Sequence, residues 1–164
     1  MGRKEKIVTE IEVFESISGC SVSIQKLMKK AQEARAKAYA PYSNFYVGAA
    51  ILLENGTIVT GSNQENASYP AGLCAERTAL FYAGAKYPNQ KIKSIALTAG
   101  PKGEENLKPV PPCGSCRQAI AEYEQKQKPP ISIYFMGTSG EVKMVKSLLD
   151  LLPLAFNKDF LDGT

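Results

Sequence analysis

Three cysteines in this chain could hold a metal ion and leave room for chemistry beside it. Glu76 lies two residues after Cys74, and two residues separate Cys113 from Cys116. Three protein ligands leave one position of a tetrahedral zinc ion open to water, whereas structural zinc sites are normally closed by four. A carboxylate beside such a water could take up its proton. We therefore predict a catalytic zinc on the three cysteines, with Glu76 as the proton carrier.

The complete absence of histidine from the chain supports this prediction. It excludes histidine metal ligands, histidine general bases and every Ser-His or Cys-His nucleophilic pair. Three thiolates on Zn²⁺ would leave a net negative charge, so we expect cations beside the sulfurs. Arg77 and Arg117 each directly follow a thiol motif and can donate several hydrogen bonds in fixed directions. We predict that both stabilise the thiolates from outside the coordination sphere.

Two other interpretations of the cysteines stay open. Cys20 is far from the other three in sequence and is typical of a lone free thiol. As a fourth ligand, however, it would close a purely structural zinc site. Alternatively, Cys113 and Cys116 could form a redox-active disulfide, as Cys-x-x-Cys pairs do in thioredoxin-like patterns. Neither alternative assigns a function to Glu76.

The composition indicates one globular domain of 164 residues, with 44% hydrophobic and 22% charged residues. The net charge is only +4, and lysine and arginine are interleaved with glutamate. This predicts a solvated surface rather than a nucleic-acid-binding face. No apolar run approaches the roughly 18 residues of a membrane span, and the charged start is not followed by an apolar signal core. We therefore expect a cytoplasmic protein without membrane contact.

The spacing of apolar residues predicts strands alternating with helices after an opening hairpin. We predict helices over residues 23–38, 74–85, 113–127 and 147–156, and strands over 47–53, 57–61, 91–99, 131–136 and 142–145. Asn55-Gly56 supplies the hairpin turn. The order predicts an α/β fold, a layered sandwich around one mixed five-stranded sheet. Both thiol motifs would begin helices, whose N-terminal amides and dipoles stabilise thiolates.

At these motifs the chain resembles the short, all-cysteine class of cytidine deaminases. The resemblance is carried by Cys-Ala-Glu-Arg at 74–77 and Pro-Cys-Gly-Ser-Cys-Arg-Gln at 112–118, and it extends to 41–50, 63–69 and 151–156. It implies a three-layer α/β/α sandwich of the cytidine deaminase type and one Zn²⁺ per chain. It also implies a homotetramer whose active sites are completed by neighbouring subunits.

The resemblance begins near residue 22 and divides the chain into two parts. Residues 22–164 would form the cytidine deaminase-like catalytic domain. Residues 1–21 would form an N-terminal extension, an arm or a short strand, and neither it nor Cys20 receives a role.

The resemblance assigns roles to individual residues. Zinc would be held by Cys74, Cys113 and Cys116, with Glu76 moving protons and Arg77 neutralising the thiolates. The substrate-binding residues would be Phe45, Asn63, Glu65, Tyr69, Ala75 and Phe156. Among these, Asn63 and Glu65 would hydrogen-bond the ribose. The Phe156 ring would lie over the base, and both it and Tyr69 could reach a neighbouring subunit's site.

The implied reaction is the hydrolytic deamination of cytidine and deoxycytidine to uridine and deoxyuridine, with release of ammonia, in pyrimidine salvage. Glu76 would take a proton from water, deliver it to N3 of the pyrimidine and later protonate the departing amino group. An aminated nucleoside drug or a polynucleotide is a rival substrate. The Glu65 carboxylate favours a free nucleoside because it would repel a phosphate placed near it. The motifs do not distinguish cytidine from deoxycytidine.

Overall fold

The computed structural model describes residues 2–161, which contain six β-strands and three α-helices. The strands are β1 (Glu12–Phe14), β2 (Phe45–Leu53), β3 (Ile58–Ser62), β4 (Ile92–Pro101), β5 (Ser132–Met136) and β6 (Val142–Val145). The helices are α1 (Val22–Arg35), α2 (Ala75–Lys86) and α3 (Gly114–Gln127). Short 3₁₀ turns lie between or after these elements, at Ile17–Gly19, Tyr69–Ala71, Leu148–Asp150 and Lys158–Phe160.

One mixed sheet runs through the molecule in the order β1-β6-β5-β4-β2-β3. Strands β4 and β5 are parallel and are connected through α3, and the other neighbours are antiparallel. The predicted α/β fold with a mixed sheet is thus confirmed, but the predicted strand count of five is wrong. The sixth strand is β1, where Glu12 pairs with Met144 and Phe14 with Val142. It lies in the segment predicted to be an arm or a short strand. Its three residues could not decide between the two, because their partner lies about 130 residues away in sequence.

Helices cover both faces of the sheet, which confirms the three-layer arrangement. Successive side chains of a strand point to opposite faces. On one face Ala50, Ala96 and Met136 pack with Leu27, Met28 and Ala31 of α1. On the other face Ile51, Leu97 and Ile133 pack with Ala79 and Leu80 of α2 and Ile120 of α3. Burying one such leucine or isoleucine side chain contributes about 1.5–3 kcal/mol, so these two apolar layers fix where the helices lie.

Two glycines let the helices approach the sheet closely from opposite sides. A Cβ on Gly48 would lie 2.0 Å from the carbonyl oxygen of Ala31 in α1. A Cβ on Gly61 would lie 2.6 Å from the backbone nitrogen of Ala79 in α2. Both neighbours are helix backbone that could not move aside cheaply. The start of α2, which follows Cys74, therefore packs directly against strand β3.

The helix predicted over 23–38 begins at Val22 and ends at Arg35. Its N-cap is Ser21, whose side chain accepts a hydrogen bond from the backbone of Ile24. The helix predicted over 147–156 is wrong. Ser147 and Asp150 form a capping box, but only the 3₁₀ turn Leu148–Asp150 follows. Pro153 has no backbone N–H and disfavours helical backbone in the residue before it, so the turn does not propagate.

Cys20 is a free, buried thiol in the apolar layer between α1 and the sheet. It therefore packs on the face opposite α2 and α3, whose N-terminal ends carry the other three cysteines. Helices long and apolar enough to span a membrane do not occur among residues 2–161.

Candidate active site

The candidate site is built from the N-termini of two helices that lie on the same face of the sheet. Cys74 is the N-cap of α2 and Cys113 the N-cap of α3, both with extended backbone. Neither side chain caps its helix, in contrast to Ser21 at α1. The sulfurs are consequently free for another ligand, and the helix dipoles favour the thiolate form there.

The sulfur atoms of Cys74, Cys113 and Cys116 all lie within 4.8 Å of one another. The Cys74 and Cys113 sulfurs are 3.8 Å apart. Two sulfurs bound tetrahedrally to zinc at about 2.3 Å would also be roughly 3.8 Å apart, so this thiol cluster fits the ion. All three cysteines are free thiols. The alternative with Cys20 as a fourth ligand is wrong, because Cys20 packs on the other face of the sheet.

The electrostatics of the thiol cluster favour a thiolate at Cys74. A hydrogen bond from Cys116 and a second from Arg77 lower the pKa of Cys74 well below that of an ordinary thiol. The Nη2 atom of Arg77 is 3.7 Å from the Cys74 sulfur. Cys116 is fully buried, and as the donor to Cys74 it has a raised pKa. A metal ion bound here would displace the remaining thiol protons and be held by three anionic sulfurs.

Glu76 lies in the first turn of α2 and is only 5% exposed. Burial raises the pKa of this carboxyl, and the Cys74 thiolate raises it further. The hydrogen bond from its own backbone N–H acts in the opposite direction. A buried carboxyl with a raised pKa, two residues from Cys74, is the kind of group that can accept and return protons.

The two arginines predicted to lie near the sulfurs make different contacts. Arg77 contacts Cys74 as described, and its Nε is a buried donor without a hydrogen-bond partner among residues 2–161. Arg117 instead donates from Nε to the carbonyl of Pro112 at 2.9 Å and from Nη1 to the carbonyl of Leu151 at 2.8 Å. The structure therefore directs these two Arg117 donors to backbone and not to the thiolates.

The segment carrying Asn63 and Glu65 is tied directly to the segment carrying Cys74. Gln64 and Leu73 exchange two backbone hydrogen bonds of 2.9 Å, which bring residues 63–65 beside the residue that precedes Cys74. The Asn63 side chain is hydrogen-bonded to the backbone of strand β2. Its amide donates to the Phe45 carbonyl at 2.9 Å, and its oxygen accepts from the Val47 backbone at 2.8 Å. Each of these two groups keeps capacity for one further hydrogen bond.

Glu65 is held by the turn that precedes β2. One carboxylate oxygen accepts from the backbone N–H groups of Tyr42 at 2.9 Å and Ser43 at 3.2 Å, and the other accepts from the Ser43 hydroxyl. These hydrogen bonds, that of the Ser43 hydroxyl first, lower the pKa of Glu65. Ser43 also accepts from the Phe45 backbone at 3.0 Å. Glu65 is thus fixed as an anionic acceptor with one oxygen still able to bind a hydroxyl donor.

A pocket of about 350 Å³ opens beside Glu65. It is lined by Tyr42, Ser43, Glu65, Asn66, Tyr69 and Gly72. The rings of Tyr42 and Tyr69 lie 5.9 Å apart at 60° and form an aromatic wall. Tyr69 is 75% exposed. A pocket with aromatic surface and one fixed carboxylate suits a polar ring-bearing ligand.

The other predicted substrate-binding residues lie at three places. Phe45 begins β2, and Ala75 is fully buried as the first residue of α2. Phe156 is 57% exposed and stacks on Phe160 at 5.8 Å, and its backbone carbonyl accepts a 2.8 Å hydrogen bond from the Gln118 side chain. Within this single chain, therefore, Phe156 and Tyr69 present their rings to the surface.

Two sets of supporting residues are not predicted from the sequence. Tyr42 and Ser43 hold Glu65, and Gln118 with Glu124 holds the C-terminal part of the chain to α3. The position of Ser43 two residues before Phe45, inside a segment rich in turn residues, is the signal that could have indicated the first set. Glu124, which continues the helical face of Ile120 and Ala121 and is buried, could have indicated the second.

Comparison with known proteins agrees with this geometry. The family described as "Cytidine and deoxycytidylate deaminase zinc-binding region" matches residues 21–129. A cytidine deaminase of Sporosarcina psychrophila is 41% identical over 140 residues, covering 85% of this chain and 96% of that protein. A cytidine deaminase of Halalkalibacterium halodurans is 42% identical over 135 residues, covering 82% and 95%.

Solved structures show the same similarity. The crystal structure of cytidine deaminase from Burkholderia pseudomallei superposes with a TM-score of 0.70 at 42% identity, covering 80% of this chain and 98% of that one. The structure of cytidine deaminase from Mycobacterium tuberculosis gives a TM-score of 0.65 at 33% identity, covering 84% and 99%.

Proposed function

The chain belongs to the cytidine and deoxycytidylate deaminase family, and we propose that it hydrolyses cytidine and deoxycytidine to uridine and deoxyuridine with release of ammonia. The observation that carries this function is the convergence of three thiols at two helix N-termini, with the buried carboxyl of Glu76 two residues from Cys74. The matched region is the family's zinc-binding region, and zinc is the cofactor that the thiol cluster fits.

Cys74, Cys113 and Cys116 would hold one Zn²⁺ per chain. When bound, zinc supplies a Lewis acid that makes water a better nucleophile at neutral pH. Arg77 offsets the negative charge of the sulfurs through its contact with Cys74. Such partners outside the coordination sphere set the basicity of metal ligands, which gives Arg77 its role in the reaction.

Glu76 is the group that moves protons. It accepts a proton from the attacking water and delivers it to N3 of the pyrimidine, while the water oxygen adds to C4. The hydroxyl now on C4 then gives its proton to Glu76, which passes it to the departing amino group. The C4 carbonyl forms as the C4–N bond breaks, and the amino group leaves as ammonia. The burial that raises the pKa of this carboxyl allows it to accept a proton and release it again within one turnover.

Residues around the Glu65 pocket would bind the nucleoside. Glu65, and Asn63 beside it, offer hydrogen-bonding capacity to ribose hydroxyls, and Phe45 would pack against the nucleoside. The low pKa of Glu65 keeps it anionic. An anionic oxygen accepts a hydroxyl hydrogen well but repels a phosphate, which supports a free nucleoside over a nucleotide or polynucleotide as the substrate.

We further propose a homotetramer whose active sites are completed across subunit contacts. Phe156 and Tyr69, both assigned to substrate binding, are more than half exposed in the single chain. Phe160 and Leu154, near Phe156, are also exposed. Large aromatic side chains at the surface are enriched in protein interfaces, and this supports their contact with a neighbouring subunit.

Ammonia release from cytidine, deoxycytidine, CMP and a single-stranded oligonucleotide, with zinc measured per chain, tests the function. We expect activity on both nucleosides, about one zinc per chain, and loss of activity on chelation that added zinc restores. Faster turnover of CMP or the oligonucleotide would overturn the nucleoside assignment. No ammonia release from any of them by zinc-loaded protein would overturn the function itself.

Complementation tests the tetramer. Glu76→Gln and Phe156→Ala chains, each weakly active alone, are denatured, mixed and refolded together. If sites are shared, some sites in the mixed assembly receive both intact residues, and activity recovers above the sum of the separate proteins. Native mass spectrometry should show four chains. A monomer with full activity would contradict the proposal.

A further inference from the structure

The thiol cluster and the C-terminal segment, residues 151–156, are both held by side chains from the first two turns of α3. Arg117 donates one hydrogen bond to Pro112 and one to Leu151. Gln118 donates to the carbonyl of Phe156 at the other end of the segment. Both residues directly follow the metal-ligand candidate Cys116, so the metal site and the segment share one support.

The Pro112 contact bears directly on the geometry of the thiol cluster. Pro112 is buried and immediately precedes Cys113, and its carbonyl belongs to the peptide group that ends at the Cys113 nitrogen. Fixing that carbonyl at 2.9 Å from Arg117 Nε fixes the direction in which the loop enters α3. The Cys113 side chain is otherwise exposed, so this contact limits where its sulfur can lie.

The Leu151 contact bears on the C-terminal segment. That segment has no strand partner and follows the short 3₁₀ turn Leu148–Asp150. The turn itself is anchored by Glu124 of α3, which is 6% exposed and accepts from the backbone of Leu148 at 3.0 Å and from the Ser147 hydroxyl. Beyond that anchor, Leu151, Leu152 and Ala155 pack against the apolar cluster that includes Ile120 of α3. The hydrogen bonds from Arg117 and Gln118 fix the backbone of the segment at its two ends.

We infer that Arg117 is a positioning residue that couples metal binding at Cys113 to the placement of the C-terminal segment carrying Phe156. Its planar guanidinium donates in two fixed directions, one to each partner. Zinc that immobilises Cys113 would thereby also immobilise Leu151, and the coupling must work equally in reverse. This inference rests on the proposed zinc site and on the assignment of Phe156 to the substrate, and two of its tests need no turnover.

Hydrogen exchange with and without zinc is the first test. In the unaltered protein, removing zinc should increase amide exchange of the peptide that covers 151–157, while a peptide from α1 on the opposite face stays unchanged. Equal exchange of 151–157 in the two states, with zinc occupancy verified, would overturn the inference. This measurement needs no variant and therefore does not depend on the folding of one.

Two variants test separately the support that Arg117 gives to the metal site and the support that Gln118 gives to the segment. Arg117→Gln should lower zinc affinity about tenfold, the lower end of the effect expected of such partners. It should also leave exchange of 151–157 high whether or not zinc is present. Gln118→Met should increase exchange near Phe156 and leave zinc affinity unchanged. Lys126→Gln, an exposed charge on the same helix, is the matched control and should change neither quantity.

Kinetics at saturating zinc provide the third test. Arg117→Gln should raise KM for cytidine severalfold and change kcat less, because the residue positions a binding segment and does not touch the reacting atoms. An Arg117→Gln protein with wild-type zinc affinity but a mobile C-terminal segment would show that the two ends are independent, and the coupling would be refuted. The deaminase assignment would survive that result.

Discussion

The two halves of the proposed active site differ in how completely a single chain builds them. The thiol half consists of Cys74, Glu76, Arg77, Cys113 and Cys116, at the start of α2 and α3. The nucleoside half consists of Phe45, Asn63, Glu65, Tyr69 and Phe156, carried by a strand start and by irregular segments. Glu76 is 5% exposed and Cys116 fully buried, whereas Tyr69 is 75% and Phe156 57% exposed.

This difference follows from what each half must do. Metal and proton chemistry needs atoms held within tenths of an ångström, which rigid helix ends on a packed sheet provide. Nucleoside binding needs access for a ligand of several ångströms, which surface loops permit. We therefore expect substitutions in the thiol half to reduce kcat or zinc binding, and substitutions in the nucleoside half to raise KM.

The largest effect should come from Glu76→Gln. The amide keeps the size of the side chain but cannot shuttle protons, so kcat should fall by about 100- to 10,000-fold, the range attributed to general acid–base catalysis. Zinc content and thermal stability should stay close to those of the unaltered protein. Glu122→Gln, an exposed carboxylate on α3, is the control. Residual kcat above a tenth of the original value would exclude Glu76 as the proton carrier.

Next in size is Arg77→Met, which tests whether the thiol half needs its cation. The substitution removes the donor 3.7 Å from the Cys74 sulfur. Zinc affinity should fall by about 10- to 100-fold, as observed for partners outside a coordination sphere. Competition with a chromophoric chelator measures it. Lys86→Met at the other end of α2 removes the same charge away from the sulfurs, and an equal loss there would show that only net charge matters.

Much of the thiol half is predictable from sequence because its residues lie in short motifs that indicate where helices begin. The motif spacing at 74–77 and 112–118 places cysteines at helix starts, and α2 and α3 begin one residue after Cys74 and Cys113. The strands at 142–145 and around the Asn55-Gly56 turn are likewise predicted within about two residues, since apolar periodicity and turn chemistry are local.

The features that sequence reasoning misses depend on contacts between distant segments. The sequence leaves residues 1–21 open between an arm and a short strand, and β1 forms there because β6 offers it an edge. The helix expected over 147–156 is replaced by a turn anchored to Glu124. The donors of Arg117 go to backbone carbonyls at positions 112 and 151, one of them far along the chain. No local pattern encodes which of two nearby acceptors a long side chain selects, so both arginines look equivalent in the sequence.

A smaller effect than in the thiol half is expected for Glu65→Gln. A hydroxyl that donates to a carboxylate forms a stronger hydrogen bond than one that donates to a neutral amide. We expect kcat/KM for cytidine to fall at least about tenfold, mainly through KM, and zinc content to remain unchanged. The ratio of cytidine to CMP turnover should also decrease, because the repelling charge is gone. A fall in kcat with an unchanged KM would mean that Glu65 acts in the chemical step, as the residues of the thiol half do, and not in binding the nucleoside.

The smallest expected effect, Ser43→Ala, tests how far the nucleoside half is preorganised. Ser43 donates its hydroxyl to Glu65 and accepts from the Phe45 backbone, so its loss frees one carboxylate oxygen to rotate away. A hydrogen bond contributes about 1 kcal/mol, or roughly a fivefold rise in KM for cytidine. Ser139→Ala breaks a comparable serine–glutamate pair, with Glu105, and should leave KM unchanged. Because Ser43 would act only through Glu65, the double variant with Glu65→Gln should be no worse than Glu65→Gln alone. Additive effects would instead mean that Ser43 contacts the nucleoside itself.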